Sequence, residues 1–595
     1  MKEKIALVLK TIRFRIKYFK DLVIGTPRYP IIISLSLIGG CFSFVGLPMI
    51  IPVLEYLQNG AASSNNQILL MMENILKVVG IQPGFYSVLA IACTFILVGE
   101  ILVVITTLIA MYSSYDLIKG YSARLLKAYL KVNWLWLTST NSGEINYVVL
   151  KEAELAAACH LSAQRVVISG IQCMAYFMLA MKMSFWSVFL AVLVYSVLSL
   201  ANLKNSYRLR GINKTLNSVF KATSNILVGL QRNKKFLKTS LLNKTLIDNT
   251  ISRINEINTN YKHMGMRLEF QRGGNFITMF LFLITLIIFH KQLALGYASL
   301  LVLLLVFNRL APQFNMLFSS YGYMNSYVPM HSSVTGRLNE MDDNIEPNGA
   351  TAFSGEGPLR FEDVSFTYPN GTRVVDKLSL TIEPFSSVAI VGGSGAGKTT
   401  ILDLILGLLR PDSGKIMYGD ILHSDLDMQS LRNKVAYVSQ EPTLIDGTLK
   451  DNITVGLPDA SDRMIEDICK KVHIDKFIDQ LPDGLLTPVG ENGVKLSGGQ
   501  RQRVVLARSL FLNPKIMILD EATSELDSES EKMIQQTIRE LSKELTIIIV
   551  AHRLSTVKFV DCVHVLEKGG IVESGSYQKL LEKKGRLYQL DLLQK

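Results

Sequence analysis

The feature that most limits how this chain folds is a recurrence of apolar runs in its first half, at 31–54, 86–112, 166–181, 185–203, 276–289 with its flanks, and 297–318. A helix needs about 20 apolar residues to cross a bilayer, where every backbone N–H and C=O must be bonded within the spanning segment. The first half therefore reads as six membrane-crossing helices with both ends on one side. Lys182-Met183-Ser184 joins the third and fourth by a short turn. A mean hydropathy of +0.28 and a charged fraction of 19% fit a chain with a large membrane portion.

Charge sets the orientation. Lys77 is the one basic residue between the first two runs, whereas Lys119, Arg124, Lys127, Lys131 and Lys151 follow the second, and Lys204, Arg208, Arg210, Lys214, Arg232, Lys234, Lys235 and Lys238 follow the fourth. Basic loops stay cytoplasmic, so the excess of 62 Lys and Arg over 50 Asp and Glu reports topology, and nucleic acid is not an expected partner. Both basic segments keep apolar residues at helical spacing. They read as extensions of the spans beyond the membrane, turning near Ser142-Gly143-Glu144-Ile145 and within 213–238.

Within 1–30, Ile5, Leu9, Ile12, Ile16, Phe19 and Val23 form one stripe opposite Lys2, Lys4, Lys10, Arg13, Arg15, Lys17 and Lys20, the pattern of a helix lying on the inner membrane surface. No A-x-A-like cleavage site follows, so a removed signal peptide is not expected. The six cysteines stand singly, without metal spacing, and read as small buried hydrophobes.

The membrane domain, 31–340, gives way to a polar linker, 341–358, containing Met341-Asp342-Asp343-Asn344-Ile345-Glu346-Pro347-Asn348-Gly349. From 359 to 595, short β-branched runs alternate with helical patterns, the mark of an α/β domain around a mostly parallel sheet. Its centre is Gly392-Gly393-Ser394-Gly395-Ala396-Gly397-Lys398-Thr399-Thr400, between the strand pattern Val388-Ala389-Ile390-Val391 and a helical one. Small residues there let successive N–H groups and a helix N-terminus point at one phosphate chain. Lys398 is then placed for the β/γ-phosphates and Thr399 for Mg²⁺.

Other groups follow in a set order. Tyr368 precedes the loop and is suited to stack on a nucleobase. Gln440 ends a strand, where it can meet Mg²⁺ or an attacking water. Ser497, Gly498, Gly499 and Gln500 open a helix fit to hold phosphate. Ile516 to Leu519 is a strand ending in two acids, Asp520 for Mg²⁺ and Glu521 to polarise the water. His552 closes another strand. A lone histidine is more often core than ligand, but this array reads it as a γ-phosphate contact.

Residues 360–590 resemble the nucleotide-binding domain of an ABC transporter: Tyr368 matches the A-loop, Gly392 to Thr399 the Walker A motif, Gln440 the Q-loop, Leu496 to Gln500 the signature, Asp520 and Glu521 the end of Walker B, Ser524-Glu525-Leu526-Asp527 the D-loop, and His552 the switch histidine. Glu525 stands where Ala is usual. Six spans fused to one such domain resemble an exporter half-transporter. The resemblance implies ATP and Mg²⁺ as cofactors, Asp527 beside the nucleotide, and a bacterial inner membrane with the cassette and N-terminus cytoplasmic. It also implies a homodimer, or a pair with a paralogous half, because one subunit's signature completes the other's nucleotide site.

Cargo is less legible. Glu100 and Arg309 lie in the second and sixth runs, where an unpaired charge is costly, so they either pair or face the substrate. The stretch Asn308-Arg309-Leu310-Ala311-Pro312-Gln313-Phe314-Asn315 is similar to the sixth span of flippases for lipid-linked oligosaccharides. An amphipathic, lipid-linked substrate is therefore expected. Peptide or drug export, and a nucleotide-gated channel or sensor on the same scaffold, are the alternatives.

Overall fold

The computed structural model describes residues 17–594 except 60–69, 71, 73, 75, 77–79, 81, 83, 233–237, 240–242, 290–296, 456–459, 522–527 and 552. Most of the basic N-terminal stripe, Lys77, Lys234, Lys235, Ser524 to Asp527 and His552 lie outside these residues. Contacts divide the chain into two units, one of Met1–Val132 with Trp136–Ile345, the other of Asn133–Leu135 with Glu346–Lys595.

The first unit is helical: α1 (Tyr29–Gly46), α2 (Ile50–Asn59), α3 (Phe85–Tyr129), α4 (Ala153–Met183), α5 (Phe185–Arg232), α6 (Asn243–Ile288) and α7 (Tyr297–Asp343). The run 31–54 is thus two helices, because Pro48 and Pro52 lack the N–H groups that would carry the ladder through. At 184 the chain is extended (φ −161°, ψ 111°), which separates α4 from α5 at the expected turn. Among the described residues five helical stretches are long and apolar enough to cross a membrane: Tyr29–Leu54, Phe85–Tyr129, Gly143–Met183, Lys244–Ile288 and Ser299–Asp343. The fourth expected span falls on α5, where the side chains of 192–203 are outside the described set.

Helices α3 and α7 have 45 and 47 residues. At about 1.5 Å per residue each is roughly 70 Å long, more than twice the about 30 Å of hydrocarbon. The first of the two turns differs from expectation. The chain reverses between Leu130 and Asn141, and Ser142 already begins a helix, Ser142–Tyr147. The second helix end falls inside the expected window: α5 stays helical past Asn213, where Leu216 and Val219 bury against Ile257 of α6, and ends at Arg232.

The described start of the chain, 17–24, is helical, and Leu22 and Val23 bury against Cys159, Ala163 and Met324 of α4 and α7. Small residues let α1 and α3 approach: a Cβ on Gly46 would lie 3.1 Å from Ile96, and one on Gly99 3.1 Å from Ser43 Oγ.

A charge is buried in this unit. Glu152, fully enclosed at the end of a π-helical turn (Val148–Glu152), accepts from Asn217 Nδ2 at 2.8 Å and Ser333 Oγ at 2.8 Å, and pairs with Lys221 Nζ at 3.0 Å. The π turn admits an extra residue before α4 and aims this carboxylate between α5 and α7. Isolated, it would be prohibitively costly; with three partners it ties three segments together.

The second unit has two sheets. An antiparallel one runs β2-β1-β4-β5, with β1 Leu359–Thr367, β2 Arg373–Ile382, β4 Ser413–Tyr418 and β5 Ile421–Leu422. The larger one runs β10-β9-β3-β8-β7-β6, with β3 Ser387–Gly392, β6 Val435–Val438, β7 Ile516–Asp520, β8 Thr546–Ala551, β9 Cys562–Glu567 and β10 Gly570–Gly575. Its neighbours are parallel except β9 and β10. Alternate residues enter two cores: Ala389, Val391, Met517, Leu519, Ile547 and Ile549 on one face, and Val388, Ile390, Ile516, Ile518, Ile548 and Val550 on the other. Burial on both faces explains why these strands read as unbroken apolar runs.

Glu152→Ala removes one acceptor from three donors, so the detergent-solubilised chain should lose about 2–3 kcal/mol of unfolding stability. Thermal or denaturant unfolding checks this; a change below about 0.5 kcal/mol, typical of a surface site, would show that the network does not hold the helices.

Candidate functional site

Three parallel strands deliver the chemistry to one edge of the larger sheet. Strand β3 ends at Gly392, β7 at Asp520, and β6 two residues before Gln440. Crevices at the carboxyl ends of such strands are where ligands bind in α/β sheets.

After β3 the chain turns through 393–397 into α8 (Lys398–Ile405). Gly397 has φ +104°, and a Cβ there would lie 3.0 Å from Val374 O; one on Gly392 would lie 2.5 Å from Leu566 O. Only glycine fits both places. Ile401 N donates to Gly397 O, while the amides of Lys398, Thr399 and Thr400 begin the helix without intrahelical acceptors. Lys398 is buried, and its Nζ donates to Gly392 O at 2.8 Å and Gly393 O at 3.0 Å. Burial lowers its pKa, opposed by the charges of Glu521 and Asp520, which places both acids within electrostatic reach of the loop. Amides, an ammonium and two carboxylates at one strand edge fit a triphosphate with its metal.

The two acids have different surroundings. Asp520 Oδ2 accepts from Tyr437 OH at 3.1 Å. Glu521 takes a left-handed backbone (φ +50°), donates its N–H to Val550 O at 2.9 Å, and accepts from Gln440 Nε2 at 2.9 Å. The turn swings its carboxylate away from the line of β7, so that the adjacent acids do not share a direction. Tyr368 is half-buried: its ring meets Phe366 edge-on at 5.0 Å, and its hydroxyl lies 3.2 Å from Thr400 Oγ1, one turn into α8.

Ser497 caps α9 (Gly498–Phe511): its Oγ accepts from Gln500 N at 3.3 Å, and its N–H donates to Gln500 Oε1 at 2.9 Å. Among the described residues no hydrogen bond joins this group to the loop. The site residues therefore form two sets, one around Lys398 and one at the α9 N-terminus.

The ABC transporter family model matches 375–524. The chain is 37% identical over 310 residues to the heterocyst differentiation ATP-binding protein HepA of Nostoc sp., covering 52% of this chain and 51% of that protein. It is 46% identical over 241 residues to an ATP-dependent lipid A-core flippase of Thiobacillus denitrificans (40% and 42%), and 44% over 248 residues to the ABC multidrug transporter MDR2 of Trichophyton rubrum (41% and 19%). The chain thus spans about half the length, or less, of these relatives. A bacterial Atm1-family ABC exporter solved with ATP bound superposes with a TM-score of 0.78 over 97% of this chain and 98% of that one, at 22% identity, a likeness of fold.

Residues 375–524 form an ABC transporter domain.

The matched domain implies ATP binding by the cassette, and the chain has the fold of an ABC exporter. His552 and Asp527 lie outside the described residues. Glu100 and Arg309 are brought together: Arg309 Nη1 donates to Glu100 Oε1 at 2.7 Å, with both side chains about half exposed.

Two groups went unread in the sequence. Tyr437, one residue before the end of β6, is the exposed position of an otherwise buried strand. Asp403 stands four residues after Thr399, on the same helical face. Burial, with the charge of Asp520 adding to it, pushes the Asp403 carboxyl up from 3.8 to about 6.

A carboxyl whose folded pKa is raised destabilises the fold once it ionises. Its contribution is fully present below about pH 4 and is lost as pH rises through about 6. Asp403→Asn should therefore stabilise the nucleotide-free chain at pH 7.5 by about 2 kcal/mol and leave it unchanged near pH 4. Melting curves at both pH values, read as the difference from the parent chain, test the sign.

Proposed function

We propose that the chain is one half of an ATP-driven exporter or flippase that moves an amphipathic substrate by alternating access. The observation that carries this is the convergence of the Lys398 loop, Asp520, Glu521 and Gln440 at one strand edge, in a chain that also has an exporter-type bundle. Gly393 to Thr400 would bind the phosphates through backbone N–H groups, Lys398 would hold the β/γ-phosphates, and Tyr368 would stack on the base. Thr399, Asp520 and Gln440 would hold Mg²⁺, which when bound neutralises developing phosphate charge. Glu521 would take the proton of the attacking water, and His552 would contact the γ-phosphate.

The α9 N-terminus, with Ser497 to Gln500, and Asp527 would close the nucleotide of a second copy or of a paralogous half. A homodimer is the simpler reading, because every catalytic residue type is intact. The chain would sit in a bacterial inner membrane with its cassette and N-terminus cytoplasmic. The domain limits would be 1–30, 31–340, 341–358 and 359–595.

For cargo the finer reading is a lipid-linked oligosaccharide or related lipid, supported by the sequence around Arg309 and by a flippase among the relatives. A guanidinium carries five N–H donors, more than one bond to Glu100 uses, so Arg309 can hold its partner and still meet an anionic headgroup. MDR2 among the relatives keeps drug export as the second reading.

Glu521→Gln should lower ATP turnover by about 100-fold or more while nucleotide binding persists; unimpaired hydrolysis removes Glu521 from its role. Arg309→Ala should abolish flipping of a labelled polyprenyl-pyrophosphate glycan in proteoliposomes without abolishing ATP hydrolysis. Unchanged flipping would return Glu100 and Arg309 to a purely internal pair.

A further inference from the structure

We propose that Arg508 and Asn452 form a clamp that moves the Gln440 segment and the signature helix α9 as one body, which makes Arg508 a positioning residue for ATP hydrolysis. The proposal rests on the ATPase reading above and adds to it a route by which one half of the site feels the other.

Arg508 lies near the far end of α9. Its Nε donates to Asn452 O at 2.9 Å, its Nη1 to Thr443 O at 3.0 Å, and its Nη2 to Asn452 Oδ1. Thr443 stands three residues after Gln440, in the connection from β6 to the helix Leu449–Thr454. Asn452 is fully buried in that helix. Besides accepting from Arg508, its Oδ1 accepts from Ile445 N at 3.0 Å, and its Nδ2 donates to Ile445 O at 3.0 Å and Thr448 O at 3.0 Å. All four hydrogen-bonding positions of the amide are used, and every partner except Arg508 belongs to the main chain of one short segment. Leu444 and Leu449 of that segment share a core with Val504 and Val505 of α9.

The contacts form a continuous line. Gln440 touches Glu521, Thr443 is gripped by Arg508, and Arg508 sits on the rigid 14-residue helix whose other end is capped by Ser497. A shift of Gln440 when nucleotide and metal occupy the loop is thereby passed, through the three residues that lead to Thr443, to the helix that Ser497 caps. Three bonds to three acceptors need the planar fork of arginine; a lysine ammonium on its longer, looser stem cannot reproduce them.

The test uses the full chain in lipid nanodiscs, with ATP hydrolysis read as kcat and KM. Arg508→Ala should lower kcat by about tenfold or more, the scale of a small misplacement in a site, with KM for ATP changed less than about twofold, since the Lys398 loop is untouched. Arg508→Lys should fall between the two. Because Arg508 acts through the Gln440 segment, Arg508→Ala placed on Gln440→Ala should cost less than about twofold further. A full tenfold loss on that background, or a KM shift as large as the kcat loss, overturns the clamp. If Arg508→Ala does not fold, Arg508→Lys is read by the same two criteria. The parent chain and Lys398→Ala separate the levels: no hydrolysis by the parent removes the ATPase reading itself, whereas hydrolysis by the parent with additive variants removes only the clamp.

Discussion

Burial of β3, β7 and β8 on both faces is the constraint on which the cassette depends. A strand with apolar neighbours above and below cannot carry a charged side chain along its length, so charge collects where the strand emerges. Gly392, Asp520 and the segment leading to Gln440 are such exits, and hydrogen-bonded register holds them at one level: Val438 pairs with Leu519, and Asp520 with Val550. The alternation of Ile547 and Ile549 into one core with Ile548 and Val550 into the other fixes that register, since a slip of one residue would exchange the two faces.

The helical unit meets the opposite problem. Its apolar surface is meant for lipid, so specificity between helices comes from close approach and from the few polar groups inside. Gly46 and Gly99 supply the first, bringing α1 and α3 to van der Waals contact. Glu152 supplies the second: a buried carboxylate tolerates only an arrangement that keeps Lys221, Asn217 and Ser333 around it, so α5 and α7 cannot slide past the π turn. The Glu100–Arg309 pair follows the same logic between α3 and α7 at a more exposed place.

Much of this was legible in the sequence because the signals were long or chemically narrow. Apolar runs longer than a soluble helix needs, and a glycine loop between a strand and a helix, admit few other folds. Ser184 marked its turn because a polar residue between two apolar runs has little else to do. The end of α5 was legible only as a window, 213–238, because the side chains that continue α5 past Asn213 to Arg232 owe their burial to Ile257, which is distant in sequence. Asp403, Tyr437, Asn452 and Arg508 were missed for the same reason: their partners are set by the tertiary fold, and each alone reads as an ordinary helix or strand residue.

The cap on α9 shows why its first residues must be the types they are. The reciprocal bonds between Ser497 and Gln500 engage the amides of those two residues. Of the first-turn donors, those of Gly498 and Gly499 are left to an outside acceptor, and glycine leaves no side chain between them and an approaching phosphate. A cap that engaged all the donors would stabilise the helix further but leave nothing for a nucleotide held by another copy. An uncapped terminus would fray and lose the dipole that attracts the anion. Serine and glutamine flanking two glycines satisfy both demands, and under the proposed reading this end of α9 is built for a ligand that its own chain does not hold.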